Sequence, residues 1–226
     1  MADRDNIKLE NIDPDDIEGI LVRLEKSFGI KYTGNAFNHA KTFGDICDII
    51  ETHINREHKD DCTTQQAFYR VRKAISQTLH IEESNILLES RLEDLFPRHD
   101  RRKKLKKFQQ YLGIKLDLLR MKEWLIWILF SFFMLSLIAF FFDWKIAISG
   151  LVFSYVVSRI ASLFSKELDI RTVRQLTEKL TRENYFEVRR KKGTINKNEI
   201  FKTIQDTFIA DLELDKSLLT KDASLG

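Results

Sequence analysis

Two apolar stretches of membrane-spanning length, a near absence of proline, and apolar residues recurring every three or four positions predict an all-α protein built around a two-helix transmembrane hairpin. Only Pro14 and Pro97 interrupt the 226 residues, so long helices meet few obstacles. The mean hydropathy of −0.28 hides a sharp partition. From Trp124 to Phe164 the only charged residues are Asp143, Lys145 and Arg159, while both flanks are dense in Lys, Arg, Asp and Glu.

The first stretch, Trp124–Phe142, is Leu, Ile, Phe, Met and Trp with two serines and an alanine. At 1.5 Å per residue, about 19 residues span roughly 28 Å, close to the hydrocarbon thickness of a bilayer. About thirteen Leu, Ile and Phe residues favour insertion by roughly 6 kcal/mol in total. The second, Ile146–Phe164, carries Arg159 about one turn from its end, where the side chain can snorkel to the headgroups. Gly150, Ser154, Ser158 and Ser162 recur every fourth residue and line one face suited to close helix packing. The partner expected for that face is the first helix; a second copy of the chain is the alternative, which leaves a homo-oligomer open. Only Asp143-Trp144-Lys145 joins the stretches, so the helices are expected to be antiparallel neighbours. Trp124 and Trp127 at one boundary and Trp144 at the other suit an aromatic belt.

Basic residues set the expected orientation. Arg101, Arg102, Lys103, Lys104, Lys106, Lys107, Lys115, Arg120 and Lys122 precede the hairpin, and Lys166, Arg171 and Arg174 follow it. The turn offers Lys145 alone, so both flanks and both termini are expected in the cytoplasm. The cluster Arg101, Arg102, Lys103, Lys104, Lys106 and Lys107 reads equally as a surface for anionic lipid or as a solvated helix face. A net charge of +3 argues against a nucleic-acid partner, and two cysteines, Cys47 and Cys62, are too few for a disulfide framework. The polar start, Met1-Ala2-Asp3-Arg4-Asp5, predicts no cleavable secretory signal.

The flanks contain internal similarity. Phe68, Val71, Ile75, Leu79, Ile81, Ser84, Ile86 and Leu92 reappear 133 positions later as Phe201, Ile204, Phe208, Leu212, Leu214, Ser217, Leu219 and Leu225. Leu21, Leu24, Phe28, Gly29, Ile30 and Lys31 pair with Leu105, Phe108, Leu112, Gly113, Ile114 and Lys115. Thr42, Phe43, Ile46 and Ile50 pair with Thr172, Val173, Leu176 and Leu180.

These pieces resemble the acyl carrier protein family, a small four-helix fold. Phe68–Leu95 and Phe201–Gly226 look like its first helix and following loop. Leu24-Glu25-Lys26-Ser27-Phe28-Gly29-Ile30 looks like the end of its second helix, and Thr42-Phe43-Gly44-Asp45 like the start of its last. The resemblance implies phosphopantetheine on a serine opening the second helix. The matching positions here read Asp13-Pro14-Asp15 and Pro97-Arg98-His99, without a hydroxyl, so no cofactor and no acyl-carrier activity are expected. The order of pieces is unusual: the first unit has its first-helix piece at the far end of the chain, and the hairpin interrupts the second. A permuted domain and a truncated chain both account for that order.

The expected organisation is therefore residues 1–57 as carrier-like helices, completed by 199–226. Residues 66–122 give the first and second helices of a second unit, 124–164 the hairpin, 166–184 the last helix of that unit, and 185–198 a basic linker.

Little points to chemistry. His53, His58 and Cys62 with Asp60 and Asp61 form the one cluster resembling a metal site, but the spacing matches no zinc pattern and a helix end with linker is expected instead. No phosphate loop, nucleophile elbow or His-Glu-x-x-His is present. Asp45, Asp48 and Glu51 read as the outer face of a helix whose inner face is Ile46, Ile49 and Ile50, with Cys47 at its boundary. The expected function is a non-enzymatic scaffold in the inner membrane of a bacterium, presenting degenerate carrier-like domains to a protein partner. An immunity-type protein that neutralises a toxin is the first alternative, and an enzyme working at the membrane surface the second.

Overall fold

The computed structural model describes residues 12–224, apart from the side chains of Glu123, Ser162, Leu163 and Phe164; the Met1–Asp5 segment and Leu225 lie outside it. The chain is mostly helical. In order come α1 (Pro14–Phe28), α2 (Phe43–His53), β1 (Glu57–His58), α3 (Thr63–Leu79), α4 (Leu92–Leu95), α5 (Arg101–Leu112), β2 (Leu119–Arg120) and α6 (Glu123–Ile138). There follow α7 (Trp144–Phe164), β3 (Glu167–Leu168), α8 (Val173–Glu183), α9 (Tyr185–Val188), β4 (Thr194–Ile195) and α10 (Lys197–Leu212). They form two compact units: residues up to 71 together with those from 176 onwards, and residues 72–175.

In the first unit the two ends of the chain share one core. Ile20, Leu24 and Phe28 of α1 and Phe43, Ile46 and Ile50 of α2 are buried in one cluster with Ile200, Ile204 and Phe208 of α10, then Leu219 and Ala223. The spacing of four along α1 and α10 is what places each set on a single helix face. Phe43 meets Phe208 edge to face at 5.2 Å, and Phe28 meets Tyr185 at 5.3 Å. Asp13 caps α1 by accepting from the Asp15 amide, Pro14 occupies its first turn, and Gly29 ends it at φ 61°, a left-handed conformation glycine adopts without strain. A reciprocal box caps α2: Thr42 accepts from the Asp45 amide and Asp45 accepts from the Thr42 amide. The amides of Lys41 and Thr42 hold the Asp45 carboxyl below its usual range. β1 and β4 pair in parallel, Glu57 opposite Thr194.

The second unit buries Ile75, Ile86, Leu92, Phe96, Leu105, Phe108 and Leu112, with Phe96 and Phe108 packed at 5.7 Å. Antiparallel β2 and β3 bring together the two chain ends from which the hairpin of α6 and α7 emerges.

The backbone repeats between the units. His80 and Glu213, 133 positions apart, are the two described non-glycine residues with positive φ, at 57° and 52°, each just past its helix. The short 3-10 turns Glu83–Asn85 and Lys216–Leu218 follow at the same shift. Gly29 and Gly113 end α1 and α5 alike, donating to Glu25 and Gln109. Phe43 donates to the Ala223 carbonyl at 2.9 Å, and Val173 donates to that of Ser90 at 3.0 Å. Gly44 donates to Lys221, and Arg174 to Leu88, both at 2.8 Å. Thr42 bridges Ser224, and Thr172 bridges Arg91. Each of these bonds maps onto its counterpart through the same residue correspondences that the apolar pattern gives. The hairpin with its flanks, residues 115–170, stands where the first unit has only the loop 31–40.

Several details differ from the sequence expectation: residues 66–71 and 176–184, expected in the second unit, group by their contacts with the first. The first apolar helix loosens to a 3-10 turn after Ile138, and the second begins at Trp144 rather than Ile146, because Asp143 caps it through the Lys145 amide at 2.8 Å. Residues 185–198 are no linker: Tyr185, Val188, Arg189 and Ile195 are buried. Arg101 is buried rather than on the basic surface.

Candidate functional site

The hairpin is the most distinctive surface. Its two 18-residue windows, Trp124–Phe141 and Trp144–Ala161, have mean hydropathies of 2.4 and 1.3 and are only 6% and 11% buried. A core helix of a water-soluble domain would be buried on its apolar side. These helices instead leave Trp127, Phe130, Leu135, Phe153 and Ile160 exposed. Both are long and apolar enough to cross a membrane.

The faces that do meet are small. Ala147, Ser136 and Ser154 are buried, and a Cβ added at Gly150 would overlap the Ser136 hydroxyl. Ser136 returns its own hydroxyl to the Phe132 carbonyl at 2.9 Å, which keeps it compact. Gly150 and Ser154 therefore lie in the seam of one hairpin, Ser158 is half-buried, and the Ser162 side chain lies outside the described residues. Gly150→Val is expected to cost about 1–3 kcal/mol by forcing the helices apart. Gly19→Ala, inside α1 with nothing within 4 Å of the new methyl, is expected to add about 0.5–1 kcal/mol. Thermal unfolding in detergent should show shifts of opposite sign.

The structure divides the basic cluster. Lys103 and Lys106 are exposed on α5, while Lys104 pairs with Asp100 at 3.0 Å and Lys107 lies over the Tyr111 ring at 5.7 Å. Arg102 donates to the Ser165 carbonyl at 2.8 Å. Arg101, with its side chain 2% exposed, donates to the carbonyls of Phe96 at 2.7 Å and Lys166 at 2.5 Å. The two arginines thus anchor the segment leaving α7, and the lysines alone keep the character the charge run suggested.

Of the candidate metal cluster, His58, Asp60 and Asp61 tie β1 and the loop after it to Arg189 and the start of α10, while His53 bonds the Ile49 carbonyl within α2 and Cys62 is exposed. His58 Nδ1 accepts from the Lys197 amide at 3.2 Å, Asp60 accepts from Asn196 at 3.4 Å, and Asp61 pairs with Arg189. Among the described residues no group of three or more His, Cys, Asp or Glu is placed to hold a metal. Around them runs a polar network that sequence patterning missed. Arg189 also donates to Thr63 Oγ1 at 2.7 Å, to Thr194 Oγ1 at 3.3 Å, and to the carbonyls of Lys59 and Asp61. Glu199 accepts from the Thr63 amide at 3.1 Å, capping α3, and from the Tyr185 hydroxyl at 2.9 Å. Burial pushes the Tyr185 phenol up to about 12, so it remains a donor.

Asp13 caps α1, and Arg98 pairs with Glu167 at 2.7 Å. No family model, no curated protein and no solved structure matches the chain.

Proposed function

We propose that the protein is a membrane-anchored scaffold: α6 and α7 cross the bilayer, and the two helical units stand on the cytoplasmic side of a bacterial inner membrane as degenerate acyl-carrier-like modules that bind a protein partner. The observation that carries this reading is a pair of helices long and apolar enough to cross a membrane, almost none of whose residues are buried, beside a twice-repeated helical unit. The absence of a hydroxyl at Pro14 and Arg98 supports a binding role over an acyl-carrying one. Anchoring raises the effective concentration of the modules for a partner held at the same membrane.

The test combines topology with capture. Cys62 is exposed, whereas Cys47 is buried and its thiol is pushed up to about 12, by burial first and then by Asp48. An impermeant thiol reagent should therefore spare intact cells, label Cys62 once cells are opened, and label Trp144→Cys from outside. Cys62 labelling in sealed cells would reverse the orientation. Cross-linking in the membrane should then trap one partner through the helical units; trapping only by residues of α6 and α7 would refute the scaffold reading.

A further inference from the structure

At the base of the hairpin the second unit holds a cleft of about 410 Å³, lined by Arg91, Glu93, Arg101, Glu167, Arg171 and Thr172 among others. We infer that this cleft binds a phosphate group, supplied at the membrane surface by the headgroup of an anionic phospholipid. The depth of the site rests on the proposal that α6 and α7 span a bilayer. Glu167 and Leu168 of the lining follow the end of α7 by only a few residues, at the level of the headgroups.

Three observations point to an anion. First, Arg101 is buried, and while its Nε and Nη1 donate to carbonyls, its Nη2 has no hydrogen-bond partner. A buried donor on a cation left unmatched is costly, and a phosphate oxygen is the acceptor that suits a guanidinium best. Its nearest carboxylate, Glu93 at 3.7 Å, is beyond hydrogen-bond distance and 80% exposed. Second, Arg91 and Arg171 lie on the facing strands of the bridge beside it and are exposed. The other carboxylate of the cleft, Glu167, is already neutralised by Arg98 at 2.7 Å and flanked by Lys122 at 4.0 Å.

Third, the repeat supplies an internal control. At the positions equivalent to Arg91, Arg101 and Arg171 the first unit has Ser224, Ile17 and Lys41, and Ile17 simply packs against the core. The fold is therefore built without a buried arginine there. The arginines belong to the unit that carries the hairpin.

The test uses the full-length protein in detergent, with short-chain phosphatidylglycerol, phosphatidylcholine of equal chain length, and inorganic phosphate as probes. Bound lipid is read by native mass spectrometry and the thermal midpoint by fluorescence. Arg91→Gln/Arg171→Gln changes only exposed side chains and spares Arg101, whose bonds to Phe96 and Lys166 support the fold. Phosphatidylglycerol should be retained and raise the midpoint, phosphatidylcholine should not, and the double variant should bind at least tenfold more weakly. Lys103→Gln/Lys106→Gln, on the exposed helix face, should weaken binding less than threefold. Stabilisation of the wild type, but not the double variant, by inorganic phosphate alone would keep the phosphate site and assign it a soluble source. Equal loss from both double variants, or no response to either phosphate, would overturn the inference. Extraction of the wild type from membranes by carbonate would defeat the bilayer proposal separately, leaving the phosphate arm to judge the cleft.

Discussion

Ending the chain at Asn198 is expected to unfold the helices at its opposite end. The deletion removes Ile200, Ile204, Phe208, Leu219 and Ala223 from the core shared with α1 and α2. It uncovers Ile20, Leu24, Phe28, Phe43, Ile46 and Ile50, each now less than 3% exposed. At roughly 1.5–3 kcal/mol per large apolar side chain returned to water, the loss matches or exceeds the whole stability of an ordinary domain, about 5–15 kcal/mol. The deletion also strips Gly44 and Phe43 of their carbonyl partners at Lys221 and Ala223. Hydrogen exchange should show the amides of residues 14–53 losing protection. Phe208→Ala should move the same helices by about 3–5 kcal/mol, a graded version of the same effect. Cysteines replacing Leu21 and Phe208 should cross-link within one monomer. Unchanged protection in the truncated chain would mean that α1 and α2 hold together without α10.

The repeated spacing of Phe68, Val71, Ile75 and Leu79 against Phe201, Ile204, Phe208 and Leu212 made this arrangement legible, because a helix face left without cover must find one. The hairpin was legible for a simpler reason: length and apolar content suffice to recognise it, and only its ends moved, where Asp143 as a cap outweighed the hydropathy pattern. Charge runs carried far less information. Arg101 stands in the same run as Lys103 and Lys106, yet it turns inward to meet the Phe96 and Lys166 carbonyls, which only the fold brings near. Residues 185–198 read as a linker because Arg189, Arg190, Lys191 and Lys192 suggest solvent. Burial of Arg189 depends on acceptors more than a hundred positions away, at Lys59, Asp61 and Thr63, and no local pattern announces such partners. For the same reason the cleft was invisible: Arg91, Arg101 and Arg171 meet across the hairpin insertion.

Arg189→Met should be the most damaging single substitution outside the apolar core. The guanidinium is 1% exposed, and each of its nitrogens donates within the fold. Methionine fills much of the volume but cannot donate to the buried Thr63 and Thr194 hydroxyls, and it leaves the Asp61 carboxylate without its guanidinium partner. The cost is roughly 3 kcal/mol or more, and Arg189→Lys should recover only part of it, since an ammonium cannot reach the same acceptors as a planar fork. A pH signature separates this network from mere packing. Burial raises the Asp61 carboxyl, but the charge and hydrogen bond of Arg189, aided by Lys59, outweigh it and hold the group below its usual value. A carboxyl depressed in the folded state adds stability that is present above its unfolded value of about 4 and disappears as pH falls through the folded one. Urea unfolding should therefore show the wild type losing its advantage over Arg189→Met as pH drops below about 4, with the full difference at neutral pH. Asp61→Asn should narrow the same gap at neutral pH and leave Arg189→Met without further pH dependence from this site. Equal differences at every pH would mean that Arg189 acts by filling space, with its ion pair to Asp61 contributing nothing.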